Sequence, residues 1–282
     1  MQVITWLQAA IMGLVQGLTE FLPVSSSGHL VLAKLLLGAQ TDTSALFEIL
    51  LHVGTLAAVV IIYYRDVWNL IKEGVLLIAD CFLWLFRKKQ FALYPERKMV
   101  LMILLVSIPT ALLGLVMEAF LEDIFLSSAL AVGLALLVTG TVLLLISKIP
   151  AGHKKIEKMK TRDALFIGVV QGIATIPGIS RSGSTISAGL FCGLDKEFAI
   201  RFSFLMSIPA ILGAAVLKLT KISAADLALN VGPYLLGMVV AALVGYLCIR
   251  WLLNLLKKNQ FHYFGYYCLA IGCIAVIWSI LS

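Results

Sequence analysis

The chain has 282 residues, 61% apolar and 13% charged, with a mean hydropathy of +1.02. A soluble domain is roughly half apolar and a quarter charged, so this composition excludes an ordinary water-soluble fold and points to a membrane protein. The formal charge of +7 does not indicate a nucleic-acid partner, because the basic residues gather in short loops between apolar runs, as membrane topology requires.

In chain order, the first apolar segment runs over about 5–38. No Lys or Arg precedes Lys34, so a cleavable signal, which needs a basic front end, is not expected. Six runs have the length that spans a bilayer core: about 45–64, 99–118, 128–147, 198–218, 232–252 and 263–281. Between them, 75–86 carries Asp80 and is short for a span, which predicts an interfacial or tucked helix. The continuous apolar runs favour helices over barrel strands.

Three basic loops hold Arg65 to Lys98, Lys148 to Arg162, and Arg250 to Lys258. The positive-inside rule places them in the cytoplasm. The loop with Glu118, Glu122 and Asp123, the one around Asp226, and both termini then face outward. The five cysteines are scattered and fit small apolar fillers better than a metal or redox set.

Two segments, about 5–38 and 163–193, are interrupted midway by Pro, Gly and hydroxyl residues: Phe21-Leu-Pro-Val-Ser-Ser-Ser-Gly-His29 and Ile176-Pro-Gly-Ile-Ser-Arg-Ser-Gly-Ser184. Irregular backbone at membrane depth is tolerated only inside protein or beside a water-filled cavity. Both segments are therefore expected to be re-entrant helix–loop–helix hairpins. They align with an offset of 155 residues: Gly13, Gln16 and Gly17 fall on Gly168, Gln171 and Gly172, and Ser25, Ser27 and Gly28 on Ser180, Ser182 and Gly183. Phe47 and Leu50 likewise fall on Phe202 and Leu205. Three crossings separate the hairpins, so the second copy is inverted. The fold class expected is all-α: a polytopic membrane protein with an inverted-topology internal repeat, about six transmembrane helices and two re-entrant hairpins. It forms one domain over 1–282, with repeats at about 5–147 and 163–281. The hairpin tips should meet inside the membrane.

Close helix packing accounts for the repeated glycines, but not for Glu20, His29 and Arg181, since ionisable groups at membrane depth are costly unless paired or used. A guanidinium suits phosphate oxygens. Ser180, Ser182 and Thr185, with the start of the following helix, add neutral donors around Arg181. Ser25, Ser26 and Ser27 are candidate nucleophiles or helix caps. His29 and Glu20 are candidate bases, and Glu20 is a candidate metal ligand. Gln16 shares a helix face with Glu20. Glu48 and His52, one turn apart, either reach the cavity or pair with each other.

The stretches Gln16-Gly-Leu-Thr-Glu20-Phe-Leu-Pro-Val-Ser-Ser-Ser-Gly-His29 and Pro177-Gly-Ile-Ser-Arg-Ser-Gly-Ser-Thr185 closely resemble the paired motifs of the undecaprenyl-diphosphatase family, also called bacitracin-resistance proteins. The resemblance implies removal of the terminal phosphate of undecaprenyl diphosphate at the outer face of the bacterial plasma membrane, recycling the peptidoglycan carrier lipid. It implies dependence on a divalent cation, Mg²⁺ or Ca²⁺, and essential roles at Glu20, Ser26, His29 and Arg181. Gln16 stands at the first acidic position of the motif and brings no negative charge, so a metal would lean on Glu20 and the substrate. The expected partners are a polyprenyl diphosphate lipid and the bilayer; nothing in the sequence indicates a homo-oligomer. The main rival is a lipid-phosphate flippase on the same scaffold. A histidine-nucleophile lipid phosphatase is disfavoured because no His follows Ser180-Arg181 until His262.

Overall fold

A computed structural model describes residues 4–36, 45–87, 93–126, 128–150, 152–219, 224–257 and 260–281. The acidic side chains at 118, 122, 123 and 226, and the basic ones at 87–89, 257 and 258, lie outside the described residues. The described residues form eleven α-helices and a single 3-10 turn at Ile156–Lys158.

The first hairpin is α1 (Trp6–Thr19) and α2 (Ser26–Leu36). Thr5 caps α1, its hydroxyl accepting from Gln8 N while the Gln8 side chain accepts from Thr5 N. Helix α3 (Ala45–Ile62) is followed after a bend of 92° by α4 (Tyr64–Arg87). The expected short helix at 75–86 is thus the second half of a 24-residue helix. Residues 64–74, which mix charge with apolar residues, belong to the same helix. That mixture is an amphipathic stripe: Tyr64, Trp68, Ile71, Val75 and Ile78 are exposed along one face. The opposite face holds Glu73 and Asp80, which both pair with the buried Arg97.

Arg97 stands at the start of α5 (Pro95–Leu126), which is followed by α6 (Ala129–Ile146). The second hairpin is α7 (Thr161–Ile173) and α8 (Arg181–Phe191), then α9 (Lys196–Leu219), α10 (Ala224–Lys257) and α11 (His262–Leu281). Five helices are long and apolar enough to cross a membrane, and the bent α3–α4 pair makes up to six. Their outer faces carry apolar rows at helical spacing: Leu104, Ile108, Leu112 and Leu115 on α5, Leu243 and Leu247 on α10, and Ile274 and Ile277 on α11. A molecule that is apolar outside as well as inside has a hydrocarbon solvent. The protein is a polytopic, all-α membrane protein.

Packing is exchanged between the halves. A Cβ added at Gly13 would lie 2.4 Å from the Gly237 carbonyl oxygen, and one at Gly17 would lie 2.7 Å from Val244 Cβ, so α1 is seated on α10. At the repeat-related positions, a Cβ at Gly168 would lie 2.4 Å from the Val106 oxygen and one at Gly172 would lie 2.6 Å from Leu113 Cβ, so α7 is seated on α5. Small residues let membrane helices approach closely where no hydrophobic force drives them together. Gly133 and Gly140 join α6 to α11 in the same way, at Gly272 and Gly265.

Gly13→Leu should therefore overpack the α1–α10 seam and cost roughly 1–3 kcal/mol, lowering the thermal midpoint in detergent. Gly74→Ala, where an added Cβ meets nothing within 4 Å, should leave the midpoint unchanged or raise it.

Candidate active site

The site is built where the two hairpins touch. The leading helices end at Thr19 and Ile173, four residues before Pro23 and Pro177, and after each proline the chain turns through a left-handed residue: Ser25 at φ 70° and Gly178 at φ 95°. A non-glycine residue at that φ costs about 1–3 kcal/mol; Ser25 is held there while its hydroxyl accepts from Gly28 N. The tips are in van der Waals contact, a Cβ at Gly28 falling 3.0 Å from Gly178 Cα. Ser182 Oγ donates to the Leu22 carbonyl oxygen at 3.1 Å, tying the start of α8 to the first hairpin. Helix α6 supports the second tip: Thr139 Oγ1 donates to Gly178 O and accepts from Ser180 N, each at 3.1 Å.

Between the tips lies Glu20, its side chain 4% exposed. Its Oε2 accepts from Gln16 Nε2 at 2.9 Å and from Ser26 Oγ at 2.5 Å. Its Oε1 accepts from Arg181 Nη2, across 161 residues of chain. His52 Nε2, from α3, stands 3.7 Å from Oε2. His52 Nδ1 donates to the Glu48 carbonyl oxygen at 2.8 Å, which turns Nε2 to the carboxylate. Glu48 sends its side chain to Lys34. Of the two alternatives for this pair, reaching the cavity is the one the structure shows: His52 stands at the carboxylate, and both residues line the cavity beside it.

Helices α2 and α8 begin at Ser26 and Arg181, so two helix N-termini converge on the same space. Each adds partial positive charge and backbone donors suited to an anion. With Arg181, they make the cluster a receptor for a strongly negative group held beside one carboxylate.

Some expected groups lie elsewhere. His29 Nδ1 donates to Ser25 O at 2.8 Å, and its Nε2 accepts from Tyr267 of α11 at 2.9 Å. Both ring nitrogens are therefore engaged away from Glu20. The expected ring of hydroxyls is mostly committed to structure. Ser25 and Ser180 cap α2 and α8. Ser182 holds the first hairpin. Thr185 donates to Arg181 O at 2.9 Å and lies 2.6 Å from Ser203 of α9. Ser26 alone touches the carboxylate, and Ser27 lines the adjoining cavity. Caps and nucleophiles are the same residue types in a sequence, and only geometry separates them. The group that sequence reasoning left undecided, His52, sits on another helix; its one signal was an imidazole at membrane depth.

A cavity of about 380 Å³ opens from this cluster. Ser27, Glu48, His52, Gln171 and Arg181 line its polar end, and residues of α5, α9 and the second hairpin tip the remainder. Gln16 Oε1 and Gln171 Oε1, at repeat-related positions, are buried acceptors with no protein partner.

Fold and site together define a polytopic membrane protein with a buried acid, hydroxyl and guanidinium gathered at two re-entrant tips. The sequence model of the family described as Bacitracin resistance protein BacA matches residues 9–274. A protein of Alkaliphilus metalliredigens named undecaprenyl-diphosphatase is 43% identical over 98% of this chain and 100% of its own. Proteins of the same name from Methanobrevibacter smithii and Korarchaeum cryptofilum are 41% and 43% identical, covering 97% and 96% of this chain and 98% and 97% of theirs. The chain belongs to the bacitracin-resistance (BacA) family.

Thr139→Val should strand the Ser180 N–H and the Gly178 carbonyl in a buried place, at a cost of about 1–3 kcal/mol. The thermal midpoint in detergent should fall, and Thr139→Ser, which restores the hydroxyl, should recover most of it.

Proposed function

We propose that this chain hydrolyses undecaprenyl diphosphate to undecaprenyl phosphate and inorganic phosphate. The observation that carries the reading is the three-way contact of Ser26, Glu20 and Arg181: a hydroxyl 2.5 Å from a carboxylate that also holds a guanidinium. The 41–43% identity to proteins named undecaprenyl-diphosphatase supports the substrate.

In this mechanism the diphosphate displaces Glu20 as the ligand of Arg181, since a guanidinium binds phosphate oxygens bidentately. The freed carboxylate accepts the Ser26 proton as Ser26 Oγ attacks the terminal phosphorus. The bond from that phosphorus to the bridging oxygen breaks, and undecaprenyl phosphate leaves with the oxygen and its electron pair. Arg181 and the N-termini of α2 and α8 stabilise the charge on the transferring phosphoryl group. Glu20 then passes its proton to solvent and takes one from a water whose oxygen attacks the phosphoserine phosphorus; the bond from phosphorus to Ser26 Oγ breaks, Glu20 returns the proton to that oxygen, and inorganic phosphate leaves. His52, beside Glu20, helps to hold and move that proton. Attack by water without a phosphoserine uses the same groups, with Ser26 as a positioning donor.

A divalent cation fits the donor set in a limited way. Among the described residues no three His, Cys, Asp or Glu side chains form a metal cluster. The Glu20 carboxylate and the unpartnered Gln16 Oε1 are hard oxygen donors, and Mg²⁺ is often held by one or two carboxylates together with substrate phosphates. Such a cation would screen the diphosphate charge.

We read the two halves, about 5–147 and 163–281, as inverted copies. The first hairpin and the cavity then open to the outer face of the plasma membrane, with both termini outside. The positive-inside distribution of Lys and Arg supports this orientation.

Purified protein in detergent should release phosphate from undecaprenyl diphosphate, which a flippase would not do without a membrane to cross. Ser26→Ala should reduce that release by about 100-fold or more with an unchanged thermal midpoint; Glu20→Gln and Arg181→Ala should reduce it as much in protein that still folds, with lowered midpoints because each leaves a buried partner unpaired. Wild-type turnover by Ser26→Ala would leave attack to water. Chelation should stop release, and added Mg²⁺ or Ca²⁺ should restore it; turnover that persists in chelator would remove the cation from the mechanism.

A further inference from the structure

The exchange of helices between the halves makes α3 packing on α10 the counterpart of α9 packing on α5. The two seams are not alike. On α3, a Cβ at Gly54 would lie 2.3 Å from the Met238 carbonyl oxygen, and Phe47 stacks on Tyr234 with ring centroids 4.9 Å apart. That seam is closed. On α9 the repeat-related position of Gly54 is Pro209, whose ring stands where the glycine let a backbone in. Farther along, a Cβ at Gly213 meets nothing within 4 Å, and one at Gly114 of α5 meets only Thr175 Cγ2 at 3.5 Å. These two glycines serve no close helix contact, unlike Gly13, Gly17, Gly168 and Gly172. Both line the 380 Å³ cavity, together with Ala111, Leu115, Pro209 and Leu217. Leu115 and Leu217 are more than half exposed on the outer surface of the bundle, so the cavity runs from the Arg181 end to the lipid-facing side.

We propose that the cleft between α5 and α9 seats the first isoprene units of the substrate's tail, and that Gly114 and Gly213 set its bore. The inference rests on the diphosphatase reading for the identity of the head group. Three observations commit the cleft to this occupant. Its polar end is continuous with the groups that would hold a diphosphate. From Ala111 on α5 and Pro209 on α9 outward its walls are apolar. Its far end faces hydrocarbon, where the remainder of a long chain can lie without leaving the bilayer. The volume is within the roughly 300–1,000 Å³ usual for a ligand pocket, so only the head-proximal units are enclosed. Discrimination between long and short prenyl diphosphates then arises at Gly114 and Gly213 rather than at the tips.

The test uses Gly213→Leu and Gly114→Leu in the full-length protein, with undecaprenyl diphosphate and dimethylallyl diphosphate, whose single isoprene unit does not extend along the cleft. The expected result is a KM for undecaprenyl diphosphate raised roughly tenfold or more, with kcat/KM for the short substrate unchanged. A KM for the long substrate equal to wild type in both variants overturns the proposal, as does equal loss on both substrates. A second measurement does not depend on turnover. An undecaprenyl diphosphate analogue with a photoreactive group in its first isoprene units should label α5 and α9 peptides of Ser26→Ala protein, less so when Gly213→Leu is added. Labelling confined to α3 or α10 overturns the proposal. If wild-type protein releases phosphate from neither substrate, the diphosphatase reading falls, while the labelling pattern still decides the cleft.

Discussion

The fold turns on one ion pair, Glu20 with Arg181, made across the tips of two hairpins at membrane depth. Either charge alone costs roughly 2.5–3.5 kcal/mol on insertion scales. Together, with Gln16 and Ser26 donating to the carboxylate, each satisfies the other. A buried pair of this kind is weak evidence of stability for its own sake, because apolar residues of similar size would often do as well. Its use lies in being exchangeable. Arg181 is 26% exposed toward the cavity and Glu20 only 4%, so an anion entering from the cavity meets the guanidinium first and releases the carboxylate behind it.

Holding that pair together requires the hairpins to be carried by something outside themselves. A short helix in lipid has no hydrophobic drive to pack, and each leading helix meets far less of its own hairpin than of the long helix of the opposite half. Each leading helix is set instead against the long helix of the opposite half, through glycines at which a Cβ would collide with backbone. Geometry at the tips is thus fixed by seams well away from them. Ser25 can then be held at φ 70°, with its strain offset by contacts on both sides of the loop.

Much of this was legible in the sequence because hydrocarbon is an exacting solvent. A Pro, Gly and Ser interruption inside an apolar run has few physical solutions, and a carboxylate and a guanidinium inside two such interruptions have fewer. The hairpins, the spans and the 155-residue repeat followed from those constraints. What did not follow was assignment within a class of residue. Seven hydroxyls flank the tips, and the sequence treats them alike, whereas Ser25 and Ser180 became caps, Ser182 and Thr185 became ties, and Ser26 faced the acid. His29 stood in the motif and turned to Tyr267; His52 stood outside it and turned to Glu20. Which way a helix rotates is decided by its whole buried face, and a motif a few residues long does not contain that information. The length of α4 is hidden for a related reason: its acids lie on one side, Asp66 meeting Arg201 and Glu73 and Asp80 meeting Arg97, so a linear reading sees polarity where there is a stripe.

The repeat-related positions separate an enzyme from a carrier built on the same plan. Glu20, His29, Glu48 and His52 of the first half correspond to Thr175, Ser184, Ser203 and Ser207 of the second, and Ser26 corresponds to Arg181. The acids, the imidazoles and the hydroxyl that meets the acid all lie on one half, and the cation on the other. A carrier that alternates between two faces benefits from halves able to exchange conformations, which requires their contacts to be near-equivalent. Here the exchanged arrangement would set a row of neutral hydroxyls where the carboxylate and imidazole now stand, and the α5–α9 cleft would have to close while the glycine-tight α3–α10 seam opened. Pro209 opposes the first change and the packing at Gly54 opposes the second. The repeat has kept its backbone and divided its chemistry, which suits a site that faces one way and works on one end of its substrate.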